Sequence, residues 1–186
     1  MPLSLACKPR PAHLNPRALR RQGWTPATIY GHKGNGSDSV MIDVPQLKQL
    51  LAHALVNNTL IATTVEGGEF QGNTIIKEIQ RHPYKKEVFH ISLFAVDQKP
   101  KIEVVVPLVF KGTPAGVKAG GSIQLLMKSV KVVCPPDRVP DKFEVDISHL
   151  EMRQGIRVAD LPLPEGLTVA SDPRTLLMSV LAGRLK

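Results

Sequence analysis

The sequence predicts a mainly β protein: a small N-terminal β-barrel with one or two helices, followed by an all-β domain. Three observations predict it. Pro and Gly number 16 and 14, together 30 of 186 residues, a density of chain breakers that suits short strands joined by turns and opposes a helical bundle. Hydrophobic residues make up 42% and aromatics only 4%, so the chain can bury a core, and that core is aliphatic. A sustained helical repeat occurs in one stretch only, near residues 45–55.

Taken in order, residues 1–16 hold Pro2, Pro9, Pro11 and Pro16 and read as an extended arm. Residues 17–23 form one short helical turn at most, closed by Gly23, and 26–31 read as a buried strand ending in a turn. A loop at 33–37 leads to a second strand at 39–44. Leu47, Leu50, Leu51, Ala54 and Leu55 then recur at three- and four-residue spacing, the pattern of an amphipathic helix. Asp43 or Val44 lies at its cap, Pro45 suits its first turn, and Asn57-Asn58 ends it. Residues 59–65 alternate, Glu66-Gly67-Gly68-Glu69 makes a hairpin turn, and 70–80 return as a strand. After a basic turn at 81–86, the strand at 88–96 points Val88, His90, Ser92 and Phe94 one way and Phe89, Ile91, Leu93 and Ala95 the other.

Asp97-Gln98-Lys99-Pro100 is a polar break, which divides the chain into domains 1–96 and 97–186. Beyond it, strands are expected at 102–110, 122–126, 130–134, 143–147, 167–170 and 176–181, with a long Gly-rich loop at 112–121 and no helix.

The formal net charge is +8, and its placement is uneven. No acid occurs before Asp38, while Lys8, Arg10, Arg17, Arg20, Arg21 and Lys33 do. The first 95 residues carry 11 Lys and Arg against 6 acids; the rest carry 13 against 10 with the signs interspersed. A cationic first half points to a polyanion, most often nucleic acid; a solvated face is the bland alternative. No apolar run approaches the roughly 20 residues that cross a bilayer, and MPLSLACKPRP holds no stretch of signal-peptide length. A cytoplasmic protein without a membrane partner is expected.

Catalytic and metal-binding constellations find no support. The Gly-rich loop lacks a Gly-Lys-Ser/Thr ending and a following helix, so the phosphate-gripping nest is missing. Cys7, Cys134 and the scattered histidines show no ligand spacing, and Cys134 reads as a buried small hydrophobe. Glu66 and Glu69 flank a turn, and no nucleophile elbow exists. No enzyme, cofactor or metal is expected. The basic turn differs: Arg81 and Lys85 suit phosphates, Gln80 and His82 suit base edges, and Tyr84 offers a stacking face. Lys77, Gln80, His90 and Ser92 project from adjacent strands. These join Arg17, Arg20 and Arg21 in one footprint if the first strands pair with residues 88–96.

ALRRQGWTPATIYG, NNTLIATTVEGGEFQG and IKEIQRHPYKKEVFHISLF resemble the first domain of a bacterial family, ribosomal protein twenty-five of the large subunit, which binds 5S rRNA. VPLVFKGTPAGVKAGG, FEVDISHLEMRQGIRVADLPLPEG and LLMSVL resemble the second domain of its long form, the CTC or general-stress type. The resemblance implies a barrel related to the anticodon-binding domain of glutaminyl-tRNA synthetase. It also implies docking on the minor-groove side of a distorted 5S rRNA helix within the large subunit. Carried over, the RNA-touching residues are Lys8 or Arg10, then Arg17, Arg20, Arg21, Tyr30, Lys77, Gln80 and His90. The family has Asp two residues after the His; here Ser92 stands there, without the acceptor-only carboxylate. The expected role is that of a structural ribosomal protein in the cytoplasm, with no DNA partner. A tRNA- or RNA-binding stress module acting off the ribosome is the alternative. The second domain contacts neighbouring ribosomal protein or rRNA, or extends the particle's edge; these remain open.

Overall fold

The computed structural model describes residues 3–182 except 12, 35, 69, 86, 98 and 165. Expectations that rest on Pro2, Asn35, Glu69, Lys86, Gln98 and Glu165 lie outside the described residues. The chain forms two compact units, Met1–Ile102 and Glu103–Lys186.

In the first unit, β1 (Leu3–Pro9), β2 (Trp24–Lys33), β3 (Gly36–Asp43), β4 (Leu60–Val65), β5 (Gln71–Arg81) and β6 (Val88–Ala95) close a barrel in the order β1-β3-β2-β6-β5-β4. Closure joins β1 to β4 in parallel, from Leu3 opposite Ile61 to Cys7 opposite Val65. This corrects the expected arm. Leu3, Leu5 and Cys7 alternate with Ser4, Ala6 and Lys8, and Leu5 and Cys7 are fully buried. Burial pushes the Cys7 thiol up to about 12, so it stays protonated and behaves as an apolar core group.

The other interior positions follow the same alternation. Leu5, Ile29, Ile42, Ile61, Ile91 and Leu93 are each at most 1% exposed, and burying such a side chain stabilises by about 1.5–3 kcal/mol. The buried hydroxyls of Thr63 and Thr74 satisfy one another at 2.7 Å. Helix α1 (Pro16–Arg21) starts at Asn15, whose side chain accepts from the Arg17 backbone N–H, and it buries Leu19. Helix α2 (Val44–His53) starts after Asp43 with Pro45 in its first turn and lays Leu47 and Leu50 into the barrel core. It ends two residues before the last leucine of its repeat, because the backbone is extended at Ala54, and Leu55 is left exposed.

In the second unit, β7 (Ile102–Lys111), β9 (Ser129–Cys134), β10 (Phe143–Asp146) and β12 (Thr168–Val169) form a sheet in the order β10-β7-β9-β12. Three further strands, β8 (Ser122–Leu125), β11 (Gly155–Arg157) and β13 (Leu176–Leu181), pair in the order β11-β13-β8. Val104, Val106, Val132, Cys134, Leu177 and Val180 are buried completely.

The Gly-rich loop holds one helical turn, α3 (Ala115–Lys118), and two 3-10 turns lie at Pro136–Arg138 and Val158–Asp160. The unit is therefore not free of helix. A Cβ on Gly116 would lie 2.6 Å from the Met152 backbone nitrogen, and one on Gly121 would lie 2.7 Å from the Gly116 carbonyl oxygen. Those glycines serve close backbone packing.

Candidate nucleic-acid interface

Sheet pairing assembles the site. β2 runs parallel to β6 with Thr28 opposite Ser92 and Tyr30 opposite Phe94. β5 runs antiparallel to β6 with Gln80 opposite His90 and Glu78 opposite Ser92. The register shifts between Ile76 and Glu78, so Lys77 is the extra residue of a bulge. Because Ile91, Leu93 and Ala95 fill the barrel, His90, Ser92 and Phe94 face outward beside Thr28, Tyr30, Glu78 and Gln80.

Local contacts hold this face. His90 Nε2 and Thr28 Oγ1 share a hydrogen bond of 3.1 Å. Tyr30 leans on Phe94 with ring centroids 5.3 Å apart, and Lys77 Nζ lies 5.7 Å above the Phe94 ring. Gly31, at φ +99°, admits that ring: a Cβ there would meet Phe94 at 2.7 Å. Gln80 donates from Nε2 to Glu78 at 3.3 Å.

Cations approach from two other segments. Helix α1 places Arg20 over the Phe89 ring at 4.8 Å. Arg10, just beyond β1, donates to the Leu14 carbonyl at 3.2 Å. The Nε atoms of Arg10 and Arg20 are buried without partners. Their charges reach His90: its pKa is lowered chiefly by burial, Glu78 opposes that shift, and Arg10 and Arg20 reinforce it. Burial raises the Tyr30 pKa, and the Glu78 charge adds to the rise. One imidazole therefore reports the segment after β1, α1 and β5 together.

Of the residues singled out from sequence, Arg10, Arg20, Tyr30, Lys77, Gln80, His90 and Ser92 come together here. Arg17 and Arg21 stand exposed on α1, four residues apart and so on one side of it. Arg81 is exposed at the end of β5. Lys85 is exposed in the following turn, where the His82 Nδ1 accepts from the Tyr84 and Lys85 backbone N–H groups; Lys85 and Arg20 line the same cleft. Lys8 does not join the cluster through any contact found: it pairs with Glu66 at 3.6 Å and lies 5.5 Å from the Trp24 ring centroid. Of the pair Lys8 or Arg10, the structure brings Arg10 to His90.

Sequence reasoning missed Thr28, Phe89 and Glu78. Thr28 shares strand parity with Tyr30, and Glu78 shares it with Gln80, so both were findable by counting. Among the described residues no group of three His, Cys, Asp or Glu side chains is placed to hold a metal ion. Among the described residues no helix is long and apolar enough to cross a membrane.

Residues 5–93 match the family model for the ribosomal L25p family, and residues 101–184 match that for the C-terminal domain of ribosomal protein TL5. The large ribosomal subunit protein bL25 of Microcystis aeruginosa is 39% identical over 99% of this chain and 100% of its own length. The proteins of that name from Gloeothece citriformis and Nostoc punctiforme are 41% and 37% identical, over 98% and 97% of this chain and 92% of theirs. The chain belongs to the bL25 family of large ribosomal subunit proteins.

Proposed function

We propose that the chain is a structural component of the large ribosomal subunit, working in the cytoplasm, and that its first domain, residues 1–96, binds 5S rRNA. The observation that carries this is the convergence on His90 of Arg10 and Arg20 from separate segments, beside the polar outer face of β2, β6 and β5. Arg10, Arg17, Arg20, Arg21, Lys77, Arg81 and Lys85 neutralise phosphates and release counterions. Tyr30, Gln80, His90 and Ser92 face the wide, shallow groove of an irregular helix, where base edges and 2′-hydroxyls are open to side chains. The mechanism is recognition on a rigid sheet.

In the second domain, Ile123, Leu125 and Leu126 are exposed along or just after β8, which lies at the end of its sheet. That apolar edge supports contact with neighbouring ribosomal protein.

Competition binding tests the reading. Labelled 5S rRNA is titrated with the protein against an unlabelled generic RNA duplex of equal length at physiological salt. Preference for 5S rRNA of a hundredfold or more is expected, and equal competition would overturn it. Sedimentation of the protein away from large subunits in cell extract would favour the off-ribosome module instead.

A further inference from the structure

An acid in the middle of a surface built for a polyanion needs a reason. Glu78 is exposed on the outer face of β5, opposite Ser92 and two residues from Gln80. Its register partner Ser92 lies between His90 and Phe94 on β6, so it sits between the imidazole and aromatic ends of the face, and its charge is felt by both Tyr30 and His90. Among the described residues no Lys or Arg forms an ion pair with it; its one side-chain partner is the Gln80 amide, which donates to Oε1 at 3.3 Å.

A carboxylate accepts hydrogen bonds only, at about four lone-pair sites. With one site used by Gln80, the remainder face outward. Phosphate offers no donor, so Glu78 repels the backbone that Arg10, Arg20 and Lys77 attract. The shallow groove of an RNA helix does offer a donor on a base edge, the exocyclic amine of guanine. Resting on the 5S rRNA reading above, we infer that Glu78 is a specificity-determining residue that accepts from a guanine amine in the groove and turns phosphates away toward the flanking cations. Generic binding is thereby weakened and one orientation of the helix favoured.

The test is Glu78→Gln, which keeps the side-chain shape and removes the charge, with Glu78→Asp as the charge-preserving companion. Both variants must give native circular dichroism, which surface exposure makes the expected result. Affinity is measured for 5S rRNA, for a generic RNA duplex of equal length, and for a set of 5S rRNA helix fragments each with one guanine replaced by inosine, which lacks the amine. For Glu78→Gln, 5S rRNA affinity falls about tenfold, while affinity for the generic duplex holds or rises a few-fold. Glu78→Asp keeps more of the preference. One inosine position costs the wild type about tenfold and costs Glu78→Gln less, because the neutral amide oxygen still accepts but without charge assistance. If the wild type prefers 5S rRNA and Glu78→Gln keeps the same ratio, or if no inosine position distinguishes the two proteins, this inference is wrong and the wider reading stands. If the wild type shows no preference at all, both are wrong.

Discussion

Replacing Arg20 by Ala tests the electrostatic part of the account. The Arg20 guanidinium lies 4.8 Å from the Phe89 ring centroid, its Nε is buried without a partner, and no described carboxylate pairs with it. Its stack on Phe89 contributes about 0.5–1 kcal/mol to stability, so the variant folds with a slightly lower melting temperature. Its larger effect falls on RNA. Loss of one charge-assisted hydrogen bond costs about 1.5–3 kcal/mol, or roughly 10- to 150-fold in affinity. One fewer neutralised phosphate lowers the slope of log affinity against log salt by about 0.9, which narrows the gap between the two proteins about threefold from 50 to 200 mM salt. Filter binding of 5S rRNA across that range reads both quantities. Arg20→Lys keeps the charge and so the slope, but loses the planar fork and part of the affinity. Lys131→Ala in the second unit, which removes one cation paired with Glu103 at 3.4 Å, is the control and leaves the slope unchanged. A folded Arg20→Ala protein with wild-type affinity and slope would refute the reasoning.

His90 titrates below its ordinary value of 6.5 because burial disfavours the imidazolium. The unfolded chain therefore takes up this proton first as pH falls, so stability is full above the unfolded value and declines as pH drops through it toward the folded one. An NMR titration of the ring should show a midpoint below 6.5, moved up in Arg20→Ala and further down in Glu78→Gln; a midpoint at or above 6.5 contradicts the burial of the ring, and a midpoint that neither variant moves contradicts the placement of those charges. Gly31→Ala forces a Cβ into the Phe94 ring at a φ of +99°, and thermal melts should show a loss of about 1–3 kcal/mol together with weakened RNA binding through the displaced Tyr30–Phe94 pair. Cys7 and Cys134 are both buried, so iodoacetamide should label neither in the native protein and both after denaturation; rapid native labelling of Cys7 would restore the N-terminal segment to a loose arm.

Where structure depends on neighbours in sequence, it was legible. The leucine spacing of α2 up to Leu50, the Glu66–Gly68 turn and the alternation of β6 from His90 to Ala95 each state their own geometry. Val88 and Phe89 depart from it: the register shifts between Gln80 and Arg81, Val88 packs against the core, and Phe89 meets Arg20 and His82 instead of filling the barrel. β1 was hidden because Pro9, Pro11 and the bases at 8 and 10 mask a three-step alternation at Leu3, Leu5 and Cys7. Its pairing partner is also remote, with Leu3 opposite Ile61. Barrel closure is a property of that distant pairing, and no local pattern carries it.

The same distinction divides the site. Arg20, Gln80 and His90 were readable from their residue types and strand positions. Their meeting depended on the parallel pairing of β2 with β6, which sets Thr28 opposite Ser92 and hands His90 its hydrogen bond. Lys8 looked equivalent to Arg10 as a base in the same segment. The structure separates them, since Lys8 is held by Glu66 and Trp24 while the charge of Arg10 reaches His90. Glu78 lies one residue after Lys77 and two before Gln80, and only the strand register shows which of the three share a face. Its register sets it opposite Ser92, on the outer face beside His90.

The most direct measurement is ultraviolet cross-linking of the full chain to 5S rRNA, followed by mass spectrometry of the RNA-bearing peptides. The account predicts cross-links within residues 10–30 and 77–92, on α1, β2, β5 and β6. Cross-links confined to the second unit, or to the β3 and β4 side of the barrel, would contradict it.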